Sequence, residues 1–303
     1  MKRNDGLGLL RAVNLTFLGA TRWRRRGLLS LLHHLSVNES ADLFPSGPIL
    51  AFDSSTSSIT MALLEGERVL GERFLMTERN HSVQLMPEID KLLQGSGLRA
   101  RDLHAIVVGA GPGSYTGTRI AVTVAKTFAW SLDVPLYAVS TLEAMALGGF
   151  RDAMKHADFR MKSSIWIVPV LDGRRGQAYT ALFAIDLQGD LNRMGSDRIV
   201  PFQEQLREWW SQDMNRPEGI IFVGEVDGQL RGVIDSFVVQ SKPRVKCSNA
   251  TMAGRDVGAV ARRHRSAAFV TDVHTLVPNY SQLAEAEVKL QAATAMQERG
   301  IGR

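Results

Sequence analysis

Residues 49–66 read ILAFDSSTSSITMALLEG, and the fold turns on them. Ile49 to Phe52 are apolar and Asp53 closes the run, the pattern of a short buried strand. Ser54 to Ser58 all carry hydroxyls, and a second apolar run starts at Ile59. Short hydroxyl side chains bond the neighbouring backbone and so favour turns. The stretch is therefore a β-hairpin, and RVLGERFL (68–75) supplies a third strand. The same grammar returns in IWIVPVLD (165–172), the turn GRRGQ (173–177) and AYTALFAI (178–185). Two strands ending in Asp53 and Asp172, each turning into a hairpin, suggest two copies of one α/β unit facing each other. Buried strands end in Asp often enough that the repeat alone also allows a chance pairing.

Between the hairpins the spacing predicts two helices. From His81 to Gln94, Leu85, Met86, Ile89, Leu92 and Leu93 recur at three and four residues. From Gly117 to Leu132, Ile120, Val124, Phe128 and Leu132 align, with Ala121, Ala125 and Ala129 beside them to permit close approach. Val83 and Val122 widen these stripes, so the helices either cover the chain's own sheet or join those of a second subunit. AIVVGAG (105–111) runs into PGSYTGTR (112–119) at the start of the second helix. Gly109, Gly111, Gly113 and Gly117 with Ser114, Tyr115, Thr116 and Thr118 make an anion-friendly turn. It lacks the Gly-Lys-Ser/Thr of a P-loop, and Thr116 stands where a dinucleotide fingerprint needs its third glycine. The other reading is a tight strand-to-helix turn that touches no ligand.

Composition narrows the classes. With 303 residues, 45% hydrophobic and 22% charged, the chain has room for about two globular domains. No apolar run reaches the roughly 18 residues of a membrane span. Cys247 is the single cysteine, so neither an intrachain disulfide nor a cysteine-built zinc site can form, which favours a reducing, cytoplasmic setting. Residues 1–46 hold seven basic and three acidic side chains, so this segment carries +4 of the chain's +5 and leaves +1 for the other 257 residues. A body so nearly neutral has no global field for nucleic acid, although Arg262, Arg263, His264 and Arg265 form a local patch, more simply read as a solvated helix end. The leader, interrupted by Arg22 to Arg26 and His33-His34, does not suit a secretory signal. It reads as a transit peptide, a basic surface helix or upstream sequence from a misassigned start, and is taken as a disordered or loosely helical extension. FPSGP (44–48) marks its end. The expected division is an extension at 1–46, a first lobe at 47–150 and a second at 160–303. Trp209 and Trp210 are expected to anchor a helix to the second core.

GAGPGSYTGTRIA (109–121) resembles the signature of the TsaB family, also called YeaZ. Further segments resemble the family in order: ILAFDSSTSSITMALL, NHSVQLMPEIDKLL, VSTLEAMA, VLDGRRGQAYTALF and VPNYSQLAEAE, the last with Ser281 and Gln282 in place of the more usual Leu-Arg. The resemblance spans about residues 48–287. It implies a duplicated ribonuclease-H-like fold of the ASKHA (actin-like ATPase) type, with two mixed-sheet lobes and flanking helices. It also implies a role in N6-threonylcarbamoyladenosine (t6A) formation at position 37 of tRNA. In that pathway a TsaD-type subunit transfers the group, a TsaB-type subunit pairs with it, and a TsaE-type ATPase joins them.

Catalytic TsaD-like relatives hold a metal with a His-x-x-x-His helix, where this chain has Thr141 and Met145. Its seven histidines, at 33, 34, 81, 104, 156, 264 and 274, contain no such pair. ASKHA ATPases place a glycine-rich phosphate turn after the first strand's acid, whereas Ser54 to Ser58 contain no glycine. The resemblance therefore implies a non-catalytic dimerisation subunit without metal or cofactor of its own, with ATP or ADP only at a partner interface. The expected interface comprises His81, Leu85, Met86, Ile89, Leu93, Ile120, Val124 and Phe128. A vestigial nucleotide cleft is expected at Asp53, Ser54, Ser55, Thr56, Gly111 and Gly113. Partners would be the TsaD-type subunit, the TsaE-type ATPase, tRNA through the complex, and a second copy of the chain. The alternatives are an M22-type metallopeptidase, an ASKHA-fold kinase or ATPase, and a tRNA-binding module using the leader or Arg262 to Arg265.

Overall fold

A computed structural model describes residues 44–76, 81–155, 164–212, 216–226, 228–249 and 252–280. The leader up to residue 43, His33, His34, His156 and the stretch from Ser281 lie outside the described residues.

The first hairpin forms as its sequence dictates. Strands β1 (Ile49–Asp53), β2 (Ser58–Glu65) and β3 (Arg68–Met76) make an antiparallel meander, with Ile49 opposite Leu64 and Asp53 opposite Thr60. The periodic segment after it is helix α1 (His81–Gly95). Strand β4 (Ala105–Gly109) adds parallel to β1, helix α2 (Tyr115–Leu132) crosses over, and β5 (Leu136–Val139) adds parallel to β4. The sheet order is β3-β2-β1-β4-β5. Helix α3 (Thr141–Lys155) then leads to the second sheet.

That sheet repeats the first. Strand β6 (Ile165–Asp172) pairs antiparallel with β7 (Gln177–Thr180) and β8 (Phe183–Ile185), two pieces of one interrupted strand. Strands β9 (Leu191–Arg193) and β10 (Arg198–Pro201) continue the meander against β8 and β7. After helix α4 (Phe202–Gln212), β11 (Gly219–Gly224) adds parallel to β6; after helix α5 (Gly228–Ser241), β12 (Val245–Ser248) adds parallel to β11. The order β10-β7-β6-β11-β12 has the sense of the first sheet strand for strand. The duplicated ribonuclease-H-like fold is thus seen in topology, and β1 and β6, with their terminal acids, occupy equivalent central places.

Each outer layer belongs to its own half. Leu85, Ile89, Leu92 and Leu93 of α1 pack with Ala121, Ala125 and Ala129 of α2 onto Phe52, Met61 and Ile106. In the second half, Phe202, Leu206, Ile234 and Phe237 cover Val168 and Phe222, and Trp210 meets Trp166 and Phe237 edge to face. Trp209 packs beside this core, so the expected aromatic anchor is present.

The inner layers are exchanged between halves. Helix α3 packs on β6 and β11, while helix α6 (Gly254–Arg263) from the second half packs on β1 and β2, and the two helices touch each other. Glycines permit that approach: a Cβ at Gly254 would stand 2.2 Å from the Met61 carbonyl carbon. Buried carboxylates fix it. Asp256 forms a bidentate pair with Arg151, and Glu143 receives Arg193 Nη2 at 2.9 Å and His264 Nε2 at 2.6 Å. The two sheets are thus separate in sequence between Val139 and Ile165, whereas each is covered by a helix from the other half.

Candidate functional site

The ends of β1 and β4 meet the glycine-rich turn that leads into α2. Asp53, Ser54, Ser55 and Thr56 are all buried there, at 0, 0, 1 and 7% exposure. Ser54 Oγ donates to the Gly117 carbonyl at 2.8 Å, and the Ser114 N–H donates to the Ser55 carbonyl at 2.7 Å. The Gly111 N–H donates to Thr141 Oγ1 at 3.1 Å, and the Gly111 carbonyl accepts from the Thr141 N–H at 2.9 Å. At the head of α2, Ser114 Oγ accepts from the Gly117 N–H at 3.3 Å as an N-cap. The Ser55, Gly111, Ser114 and Gly117 amides thus donate to the chain's own atoms.

The glycines of the signature serve this fit. A Cβ at Gly109 would lie 1.6 Å from Asp53 Oδ2, and one at Gly117 would lie 2.0 Å from the Ser54 carbonyl oxygen. Gly113 lies equally close under the Ser55 carbonyl. Their backbones are packed against Asp53 and the serine turn. The structure brings the six expected cleft residues together and packs them against each other.

Asp53 shows the electrostatic consequence. Its Oδ1 accepts from the Ser55 N–H and its Oδ2 from the Thr141 hydroxyl, both at 2.5 Å. Burial pushes this carboxyl above its ordinary pKa, against the opposing effect of those hydrogen bonds. Thr141, compared above with the first histidine of TsaD-like relatives, here serves as a second support for Asp53. The sequence reading noted Thr141 only as a missing ligand. Met145, at the second position, is buried, and a Cβ at Gly224 would meet its methyl group. Among the described residues, no three His, Cys, Asp or Glu side chains are grouped so as to hold a metal ion.

The expected interface residues divide by burial. Leu85, Ile89 and Leu93 are 0, 1 and 5% exposed and form the inner face of α1, so they cannot meet a second subunit while the lobe stays folded. Ile120, Val124 and Phe128 are half-buried against the same core. His81 is partly buried, and its Nε2 bonds the Thr56 carbonyl at 3.1 Å, which ties α1 to the serine turn. A carbonyl only accepts, so Nε2 carries the hydrogen; partial burial also holds this imidazole's pKa below its usual value. Of the eight, Met86 is plainly outward, at 47% exposure, and Val83 beside it is 72% exposed. On α2 the outward large side chains are Tyr115 and Trp130.

The equivalent place in the second half is open. Asp172 is exposed; its Oδ1 accepts from the Arg174 N–H at 2.7 Å, and its own N–H donates to Glu225 Oε2 at 2.8 Å.

Comparison with known proteins agrees with this architecture. A family model described as TsaD, tRNA N6-adenosine threonylcarbamoyltransferase, matches residues 75–207. The tRNA threonylcarbamoyladenosine biosynthesis protein TsaB of Bacillus subtilis (strain 168) is 37% identical over 241 residues, covering 80% of this chain and 96% of that protein. The protein of the same name from Escherichia coli (strain K12) is 33% identical over 141 residues, 46% of this chain and 57% of its own length. Among solved structures, YeaZ from Pseudomonas aeruginosa superposes with a TM-score of 0.59 at 23% identity, over 77% of this chain and 99% of that one, a likeness of fold.

Proposed function

This chain belongs to the TsaB family of tRNA threonylcarbamoyladenosine biosynthesis proteins, and we propose that it serves there as a companion subunit rather than as the catalyst. It would pair with a TsaD-type subunit that carries out the transfer to adenosine 37 of tRNA. What supports this reading is the packed turn, in which Ser54 and Ser55 are buried against Gly117 and Gly113, together with the resemblance that sets a TsaD-type histidine at the place of Thr141. On this reading the chain holds no nucleotide of its own, and any ATP or ADP of the complex is held jointly with the partner. A TsaE-type ATPase joins the pair, and tRNA is engaged by the assembly.

The docking face proposed is the outer side of α1 and α2, where Val83, Met86 and Trp130 stand exposed on two helices that pack together. In the absence of the partner the same face would join two copies of the chain. A stable pair would bury roughly 1,600 Å² in total.

The test uses two neighbouring positions. Met86→Glu changes an exposed side chain, so stability should stay within about 0.5 kcal/mol of wild type while co-purification with the TsaD-type subunit falls. Ile89→Lys puts a charge into the core and should unfold the first lobe, at a cost of at least about 4 kcal/mol. Circular dichroism separates the two effects. Undiminished co-purification by a folded Met86→Glu chain would remove the proposed face.

A further inference from the structure

The β6–β7 turn is the second half's counterpart of the closed serine turn, and its residues break a local rule. Arg174, Arg175 and Gly176 have φ of +63°, +55° and +77°, three left-handed residues in succession. That conformation crowds a Cβ, so glycine or asparagine is the favoured occupant and two arginines are disfavoured. The turn closes without their side chains: the Gly173 N–H donates to the Gln177 carbonyl and the Gln177 N–H to the Arg174 carbonyl, both at 3.0 Å. Both arginine side chains are exposed, and among the described residues neither guanidinium has a carboxylate partner.

Folding alone therefore gives no reason for this residue choice, and strain retained at an exposed site points outward, to a ligand. Two adjacent guanidiniums suit phosphate or carboxylate oxygens. Backbone phosphates of a nucleic acid present such oxygens in series. Around the turn, Asp172 and Glu225 hold backbone amides, Gln229 Nε2 lies against Gly176 and Ile199 Cδ1 lies against Gly173. Resting on the companion reading, which puts tRNA within the assembly, we propose that Arg174 and Arg175 hold phosphates of the tRNA backbone.

The experiment measures binding of unmodified tRNA between 50 and 200 mM salt, by the full chain alone and with its TsaD-type partner. The variant Arg174→Asn/Arg175→Gly supplies residues that accept the left-handed conformation. It should bind roughly tenfold more weakly at 100 mM salt, with the slope of log affinity against log salt reduced by about 1 to 2. Its melting temperature should be unchanged or higher, by up to roughly 4 °C. Arg174→Lys/Arg175→Lys keeps the charges and should keep most of the slope. Wild-type affinity and slope in the Asn/Gly variant would overturn the proposal, as would no tRNA binding by either wild-type preparation. Retained tRNA affinity with lost partner binding would also overturn it and make the turn a protein contact. Failure of the wild-type partner to co-purify counts against the companion reading instead, and tRNA binding by the chain alone still decides the turn.

Discussion

The two central hairpins, Asp53 to Ser58 and Asp172 to Gln177, occupy equivalent places in equivalent sheets and have opposite surroundings. The first is buried to the backbone, with its acid held by Thr141 and its turn resting on Gly109, Gly113 and Gly117. The second projects from its sheet, with an exposed acid and two exposed arginines. Strand order is retained in both halves, so the sheet fixes position alone. Whether a turn forms a pocket, a plug or a projection depends on what packs beneath it. Here Gly109, Gly113, Gly117 and Thr141 pack beneath the first turn.

Substitutions at matching positions can break this contrast. The largest effect is expected at Gly117, where a methyl group would collide with the Ser54 carbonyl oxygen; Gly117→Ala should cost about 3 kcal/mol in denaturant unfolding. Its foil is Gly176→Ala, which meets nothing closer than the Gln229 amide at 3.4 Å and suffers only from a φ of +77°, at about 1 kcal/mol. Equal costs would mean that the first turn is not wedged as described. Thr141→Val should cost about 2 kcal/mol, because it leaves Asp53 Oδ2 and the Gly111 N–H buried without their partner.

The smallest effect is one of pH. The folded Asp53 carboxyl is raised above its ordinary value, so its contribution to stability is full below the unfolded value of about 3.9 and is lost as pH rises through the folded value. Asp53→Asn should therefore melt relatively higher than wild type as pH goes from 4 to 7, read as the difference between the two chains. Parallel melting curves across that range would show that burial does not govern this carboxyl.

Much of the fold was legible in the sequence. Apolar runs ending in Asp53 and Asp172 located both central strands, and the periodic leucines located α1. The site was less legible. Ser54 to Ser58 read as an open polar turn, yet hydroxyls are small enough to be satisfied inside a protein: Ser54 uses the Gly117 carbonyl, and Thr56 Oγ1 bonds the Ser58 carbonyl at 3.2 Å. Glycines that suggested ligand approach were serving chain approach, and composition does not separate the two. The α1 stripe stayed open between the chain's own core and a partner, because periodicity marks an apolar face without saying what covers it. The exchange of α3 and α6 was also missed, although Gly148-Gly149 and the Gly254/Gly258 spacing signal close helix contact. Only the fold reveals where that contact falls, since Gly149 meets Val223 and Gly258 meets Leu64.

If the ancestral pocket is closed and the chain works through its surface, the Asp53 carboxylate has no chemical task. The direct measurement is the t6A content of tRNA from a strain whose sole copy of this chain carries Asp53→Asn. Wild-type t6A is expected, with normal co-purification of the TsaD-type subunit. Loss of t6A from cells in which the variant is folded, abundant and bound to its partner would contradict the idle pocket and return Asp53 to the chemistry.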